Sequence, residues 1–221
     1  MNRAGTPEGL DNLLARIRAC RVCRDAPVTG PALPHEPRPV LQASSKARLA
    51  ITGQAPGVRV HASGRPFTDP SGDRLRDWMG ITPDVFYNSA KVTIIPMGFC
   101  FPGHDAKGGD LPPRRECAPL WREQVLAELP RIELLLLVGQ YAQRWHLNGM
   151  RARAEIRAGK QAPTLTQTAG AWRRIMTEGD SPRLLPMPHP SWRNNAWLKV
   201  NPWFEVELLP VLKAEVQRLT A

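Results

Sequence analysis

The sequence lacks long apolar runs and has few cysteines. Its longest uninterrupted apolar stretch, Leu134 to Val138, is far shorter than the ~20 residues that span a bilayer. The N-terminal segment MNRAGTPEGLDN contains no apolar stretch that could act as a signal peptide. Four cysteines in 221 residues, without a secretion signal, argue against a disulfide framework. We therefore expect a cytoplasmic protein with no membrane partner.

Acidic residues are also few. Only 20 Asp and Glu face 30 Lys and Arg, which gives a formal net charge of +10. Such an excess favours a polyanionic partner, nucleic acid first, although an ordinary solvated basic surface has the same composition. Between residues 151 and 174 a single acidic residue, Glu155, faces six basic ones, which we take as a possible phosphate-contacting rim: Arg151, Arg153, Arg157, Lys160, Arg173 and Arg174.

Short apolar segments alternate with helical patterns along the chain. A helix is predicted over residues 8–19, and an amphipathic helix over Glu205 to Leu219. Four strands are predicted at Ala47–Thr52, Val85–Ile95, Ile132–Val138 and Arg183–Met187. Continuous apolar strands between helices indicate a parallel sheet covered on both faces. We expect one α/β domain over residues 1–221, with three α/β/α layers around a short parallel sheet.

Two loops follow predicted strands. Gly53-Gln-Ala-Pro-Gly57 follows the first, and Pro188-His-Pro-Ser-Trp-Arg-Asn-Asn195 follows the last. Ligands in parallel α/β sheets bind outside the carboxyl ends of the strands. Both loops are therefore candidates for a functional site.

The four cysteines are paired by spacing. Cys20 and Cys23 form a C-x2-C pair that can chelate from one turn, while Cys100 and Cys117 lie far downstream. Four thiolates suit zinc or a [4Fe-4S] cluster equally well, and ordinary buried thiols are the alternative. Ligation by all four would tie the N-terminal helix to the middle of the chain.

Several motifs together resemble the uracil-DNA glycosylase superfamily. The Gly53–Gly57 turn, the Ser63-Gly-Arg-Pro-Phe67 segment and the HPS-containing loop at residues 188–195 occur in that family's order. The resemblance spans residues 8 to 212 and is specific only in combination. The cysteine pattern is similar to that of the iron-sulfur, thermostable class, which implies a [4Fe-4S] cluster. The downstream loop is similar to that of the single-strand-selective class.

The resemblance implies roles in a pocket for a flipped base. His189 would donate a hydrogen bond to the departing base, and Gln54 would help to position water. Phe67 would stack on the base, while Gly53 and Ala55 line the pocket. From the residues alone, His189 is better interpreted as a structural loop residue, and Phe67 equally well as an ordinary core residue.

The resemblance also implies a DNA-binding loop. Ser191 would bind a phosphate, and Trp192, Arg193 and Asn194 would form the wedge that enters the duplex, with Arg193 the better candidate than Trp192 for the inserted side chain. The implied partner is DNA that contains a damaged or deaminated base, bound by a monomer associated with the nucleoid.

The sequence departs from the family pattern at several positions. Ala55 stands where fast hydrolytic members carry Asp, and Gln54 where the iron-sulfur class usually carries Glu. Asp69 is the nearest carboxylate that could substitute, although a turn-capping role before Pro-Ser-Gly is the stronger interpretation. The family's base-reading Asn is absent, so Thr93 or backbone groups would read the base. Asn88, a few residues earlier, is another candidate for this role. These departures predict slow or differently assisted catalysis.

Three functions remain open from the sequence. The first is a DNA repair glycosylase that removes uracil or another deaminated base such as hypoxanthine. The second is a protein of the same fold that binds a modified base without cleaving it. The third is a zinc-stabilised scaffold whose basic face binds RNA.

Overall fold

A parallel four-stranded sheet forms the centre of the molecule. The computed structural model describes residues 9–150, 162–178 and 181–221. The strands are β1 (Leu49–Thr52), β2 (Val92–Ile94), β3 (Leu134–Val138) and β4 (Arg183–Met187), in the order β2-β1-β3-β4. All neighbouring strands pair in parallel, which confirms the predicted sheet.

Both faces of the sheet are apolar because consecutive side chains of a strand point to opposite faces. In β3, Leu134, Leu136 and Val138 join one buried cluster, while Leu135 and Leu137 join the other. A strand without polar alternation can be stable only between two covering layers. The three-layer α/β/α architecture predicted from the sequence is therefore confirmed.

Eleven α-helices surround the sheet within the described residues, together with a 3-10 turn at Trp192–Asn194 and a π-helical segment at Phe204–Leu208. One cluster packs the helices at Pro70–Met79, Trp172–Thr177 and Leu209–Thr220 on the sheet, and the other packs those at Leu10–Arg18, Cys117–Ala127 and Gln140–His146. No helix in this part of the chain is both long and apolar enough to cross a membrane. The helices are α1 (Leu10–Arg18), α2 (Val22–Asp25), α3 (Val58–Ser63), α4 (Pro70–Met79), α5 (Pro83–Phe86), α6 (Cys117–Ala127), α7 (Gln140–His146), α8 (Leu165–Gly170), α9 (Trp172–Thr177), α10 (Asn195–Val200) and α11 (Leu209–Thr220).

Two predicted elements differ in extent. The strand expected over Val85–Ile95 shrinks to β2, because Thr82 caps a short helix, α5, that starts at Pro83. The helix expected over Glu205–Leu219 is divided into the π-helical segment and α11. Pro210 lies in the first turn of α11, where its missing N–H removes a regular helical hydrogen bond.

The amino ends of the strands are joined by ion pairs. Glu215 on α11 accepts two hydrogen bonds from Arg183, at 2.9 and 2.6 Å, and also pairs with Arg218. Arg218 reaches Glu133, which pairs in turn with Arg48 at 2.6 Å. These arginines hold the pKa of both glutamates below the usual range. The network connects the amino ends of β1, β3 and β4 to α11, at the edge of the sheet opposite the two candidate loops.

Candidate active site

A cavity of about 640 Å³ lies at the carboxyl edge of the sheet. The loop after β1 and the loop after β4 both line it, so the fold brings together segments more than 130 positions apart in the chain. The carboxyl end of a parallel sheet is where such folds bind ligands. Its lining includes Gly53, Gln54, Ala55, Phe67, His189 and Ser191.

Phe67 is held in a strained backbone conformation. Its φ is +55°, a left-handed value that no other non-glycine residue in the described ranges adopts. Its carbonyl accepts hydrogen bonds from Tyr87 Oη at 3.1 Å and from Arg76 Nη1 at 3.3 Å. Its ring packs edge-on against Phe86 and faces Gly53, where a Cβ would lie 3.3 Å from Cζ. These contacts fix an aromatic ring in the wall of the cavity.

His189 reaches the cavity across the end of β3. Gly139, the residue after β3, has φ 85° and ψ 169°, a region that is essentially restricted to glycine. A Cβ at Gly139 would lie 3.5 Å from the Cβ of His189. Asn194 Nδ2 donates to the His189 carbonyl at 2.7 Å and closes the loop. Gly139 on one side and Asn194 on the other therefore fix the position of His189.

His189 is uncharged at neutral pH. Burial lowers its pKa below the usual value of 6.5, and the carboxylates of Asp69 and Asp110 oppose this shift without reversing it. Both carboxylates also line the cavity. A neutral imidazole can donate one hydrogen bond toward a bound group while nearby carboxylates supply negative charge.

The two aspartates reach the cavity from different loops. Asp69 occupies the N-cap position of α4, as the capping interpretation requires, but its side chain makes no capping hydrogen bond and instead accepts from Ser71 Oγ at 2.8 Å. Asp110 pairs with His104 at 3.3 Å, and a Cβ at Gly57 would lie 3.1 Å from its Oδ2. Sequence reasoning missed Asp110, because nothing local links its loop to the Gly53–Gly57 turn.

One expected base-reading residue lies elsewhere. Thr93 is fully buried within β2, and its hydroxyl accepts from the Ser44 backbone N–H at 3.3 Å rather than facing the cavity. Asn88 caps a turn by accepting from the Ala90 N–H at 3.0 Å. Gln54 does line the cavity, and its side-chain amide makes no hydrogen bond to any residue that the structure describes. An amide that can donate and accept is therefore available there.

The loop expected to contact DNA forms the rim of the cavity. Trp192 is 73% exposed and Arg193 is also exposed, with its guanidinium 5.9 Å from the Trp192 ring centre. Ser191 Oγ accepts from the Arg193 N–H at 3.3 Å, and Asn194 closes the loop as described above. Arg74 ties the rim to α4 by donating to the Ser191 carbonyl and, at 2.8 Å, to Asn195 Oδ1.

The described part of the basic segment at residues 151–174 does not line the cavity. Arg151, Arg153, Arg157 and Lys160 lie outside the described residues. Arg173 pairs with Glu207 at 2.9 Å. The arginines that do line the cavity are Arg59, Arg74 and Arg193.

A family model supports what this geometry indicates. The model of the uracil DNA glycosylase superfamily matches residues 41–213, well over half of the chain. The chain belongs to the uracil-DNA glycosylase superfamily. Members of this superfamily act on DNA, so membership indicates a DNA glycosylase. Both cavity-forming loops fall inside the matched range, whereas α1 and α2 precede it.

The four cysteines lie around a second, small cavity of about 20 Å³. Cys20 and Cys23 come from the N-terminal region outside the superfamily match, and Cys100 and Cys117 from within it. Cys117 begins α6 and accepts a hydrogen bond from the Phe99 N–H at 3.4 Å. The thiols thus converge from two separate parts of the chain.

The arrangement of these thiols bears on which group they could hold. Across the described residues, no three or more His, Cys, Asp or Glu side chains gather closely enough to hold one metal ion. A zinc ion needs each sulfur about 2.3 Å from one point. Burial raises the pKa of Cys23 to about 11 and that of Cys100 and Cys117 to about 12, so a bound metal would have to displace thiol protons.

The strained turn at Phe67 can be tested through the glycine that packs on it. A Cβ at Gly72 would lie 1.9 Å from the Phe67 carbonyl oxygen. We expect Gly72→Ala to lower the free energy of unfolding by about 1–3 kcal/mol, as overpacking does, and to displace Phe67. Denaturant unfolding and a crystal structure of the variant measure the two effects.

Gly170→Ala is the matched control, because Gly170 is also helical and a Cβ there would meet no atom within 4 Å. We expect its stability to be unchanged or raised by up to about 1 kcal/mol. Equal stability of the two variants would contradict a tightly held Phe67 turn.

Proposed function

We propose that this protein is a monofunctional DNA glycosylase that removes uracil or another deaminated base, such as hypoxanthine, from DNA. The observation that carries the proposal is that Phe67 and His189 line one cavity at the carboxyl edge of the sheet. A glycosylase must hold an extruded base against a flat apolar surface and stabilise it as it leaves. The superfamily match supports the same reaction class.

In this reaction the bond between C1′ of the sugar and the base nitrogen breaks. The electron pair goes to the base, which leaves as an anion with charge on O2 in the case of uracil. His189, held neutral by burial, donates a hydrogen bond to that oxygen. A donor aimed at developing charge contributes about 3 kcal/mol to a transition state in other enzymes.

The cationic sugar is then attacked by water. Its oxygen bonds to C1′, and one of its protons must be accepted by a nearby base. Asp69 and Asp110 are the carboxylates of the cavity lining, and both act on the charge of His189. They supply the negative charge that Gln54 and Ala55 do not, while the Gln54 amide helps to orient the water.

The exposed rim fits the DNA backbone and the space left by the flipped base. Arg59, Arg74 and Arg193 offer positive charge to phosphates at the cavity mouth. Trp192 and Arg193 project from the 3-10 turn at Trp192–Asn194, where a wedge would enter the duplex.

The role of His189 can be tested with uracil- and hypoxanthine-containing oligonucleotides. We expect wild-type protein to release a free base, and His189→Ala to lower kcat by about 100-fold or more while binding to abasic DNA is retained. His35→Ala, a histidine outside this cavity, is the control and should keep wild-type activity.

The excision rate should also show no titration near pH 6.5. Because the pKa of His189 is lowered, the imidazole stays neutral as the pH falls from alkaline values to 6.5.

Base-selective binding by the wild type without any abasic product would instead favour a protein that recognises a modified base without cleaving it.

The two carboxylates can be separated by conservative substitution. We expect Asp69→Asn or Asp110→Asn, whichever removes the general base, to lower kcat by about 100-fold or more with little change in DNA affinity. Asp105→Asn, a carboxylate near Asp110 that caps its own loop, is the control. Wild-type activity in both test variants would remove the carboxylates from the mechanism.

We also propose that the four cysteines hold a [4Fe-4S] cluster. The proposal is supported by four thiols that line one small cavity and lie close enough to interact electrostatically, since a cluster is held by four Cys thiolates, each on a different iron. A bound cluster would cross-link the α1–α2 region to Cys100 and to the first residue of α6, Cys117, which completes a single domain.

The cluster is tested on the purified protein by analysis of iron, acid-labile sulfide and zinc. We expect iron and sulfide in equal amounts, visible absorbance, and loss of both in Cys100→Ser. Cys20→Ser should also loosen the packing of α1, which faster limited proteolysis of the N-terminal region would detect. A colourless protein with one zinc per chain would contradict the cluster and favour the zinc-scaffold interpretation.

A further inference from the structure

Arg122 is a buried cation in the layer behind the active-site cavity. It lies on α6 and is 2% exposed. Its guanidinium donates to the carbonyls of Ile95 at 2.9 Å and Pro96 at 2.6 Å, and to Thr52 Oγ1 at 3.2 Å. It also donates to His146 Nε2 at 3.1 Å. Within the described residues, no Asp or Glu pairs with it.

The charge of this group is retained despite burial. Burial lowers the pKa of Arg122 to about 10, which still leaves it protonated at neutral pH. Because His146 accepts from Arg122, it must be neutral, and burial lowers its pKa to about 3. Burying a cation without a paired carboxylate is costly, so its retention calls for an explanation.

The position of Arg122 links that charge to the base pocket. Pro96, whose carbonyl it binds, lines the cavity. Thr52, whose hydroxyl it binds, directly precedes the cavity-lining Gly53. The guanidinium thus lies one hydrogen bond behind Pro96 in the pocket wall and also binds the residue next to Gly53. The surrounding protein screens its field far less than water would.

We propose that Arg122 is a positioning residue whose buried positive charge favours the anionic form of the departing base, acting through the strand ends that it holds. This inference rests on the proposed glycosylase function. When the C1′–N bond breaks, its electron pair moves into the base, and negative charge develops in a cavity that already contains Asp69 and Asp110. Arg122 exchanges no proton and forms no bond with the base.

A comparison of two leaving groups tests the proposal. 5-Fluorouracil is a more stable anion than uracil, so it depends less on stabilisation by the protein. We expect Arg122→Met to lower kcat for uracil by about 100-fold but kcat for 5-fluorouracil by about 10-fold or less, with KM little changed. Arg122→Lys keeps the charge and should restore the wild-type ratio between the two bases.

Arg183→Met is the matched control. Arg183 is a structural arginine that pairs with Glu215 at the opposite edge of the sheet. Any loss of activity in Arg183→Met should be equal for uracil and 5-fluorouracil. Equal losses for both bases in Arg122→Met would overturn the proposal and leave Arg122 a purely structural residue. Failure of the wild type to excise either base would overturn the glycosylase function and this inference together.

A measurement on the wild type covers the case in which Arg122→Met does not fold. Free uracil competes with DNA for the pocket, and its anion should bind more tightly than the neutral base. We expect inhibition by uracil to strengthen as the pH rises toward the range in which uracil ionises. Inhibition that is independent of pH, or weakens, would overturn the proposal.

Discussion

The active site depends on how closely the loop after β4 can cross the end of β3 to meet the loop after β1. In the sheet order β2-β1-β3-β4, β3 lies between the two strands that carry the site. His189 passes over that end beside Gly139, whose φ of 85° is strained for any other residue and whose Cβ position lies 3.5 Å from the Cβ of His189. On the other side, Phe67 is held at φ +55° against Gly53 and Gly72. Both halves of the pocket thus need a backbone that most residues cannot adopt.

Strained positions persist only where the surrounding structure is stable enough to hold them. The amino edge of the sheet supplies part of that stability. There Arg183, Glu215 and Arg218 form a linked set of ion pairs, and Glu133 and Arg48 continue it to β1. The molecule is therefore divided along its strands, with ionic contacts at the amino ends and cavity-lining loops at the carboxyl ends. This division separates residues needed for stability from residues needed for recognition.

The sequence was most informative where local pattern determines structure. The apolar run of β3 and the turn residues after β1 and β4 were sufficient to predict a parallel sheet with two loops at one edge. Thr93 shows where prediction from the sequence fails. The pairing register of a strand decides whether a side chain faces a cavity or a covering segment, and the sequence alone does not specify that register. Asp110 lies beside Gly57 in the cavity lining although the two residues are far apart in the chain, and no local pattern indicates this. Arg122 left a detectable signal, since it is a charge on a helical face that otherwise carries Ala118, Trp121 and Val125.

The departures from the superfamily motif have a consistent electrostatic explanation. Asp69 and Asp110 already place two carboxylates in the cavity that His189 and Gln54 line, so a carboxylate at residue 54 would add a third negative charge to one cavity, where like charges repel. A neutral Gln54 and a small Ala55 avoid that repulsion while keeping a polar amide in the pocket. Arg122 adds positive charge from behind the wall, on the helix that starts at Cys117. One helix therefore carries both a thiol of the cysteine-lined cavity and the cation behind the wall of the active-site cavity, so the two sites share one element of the fold.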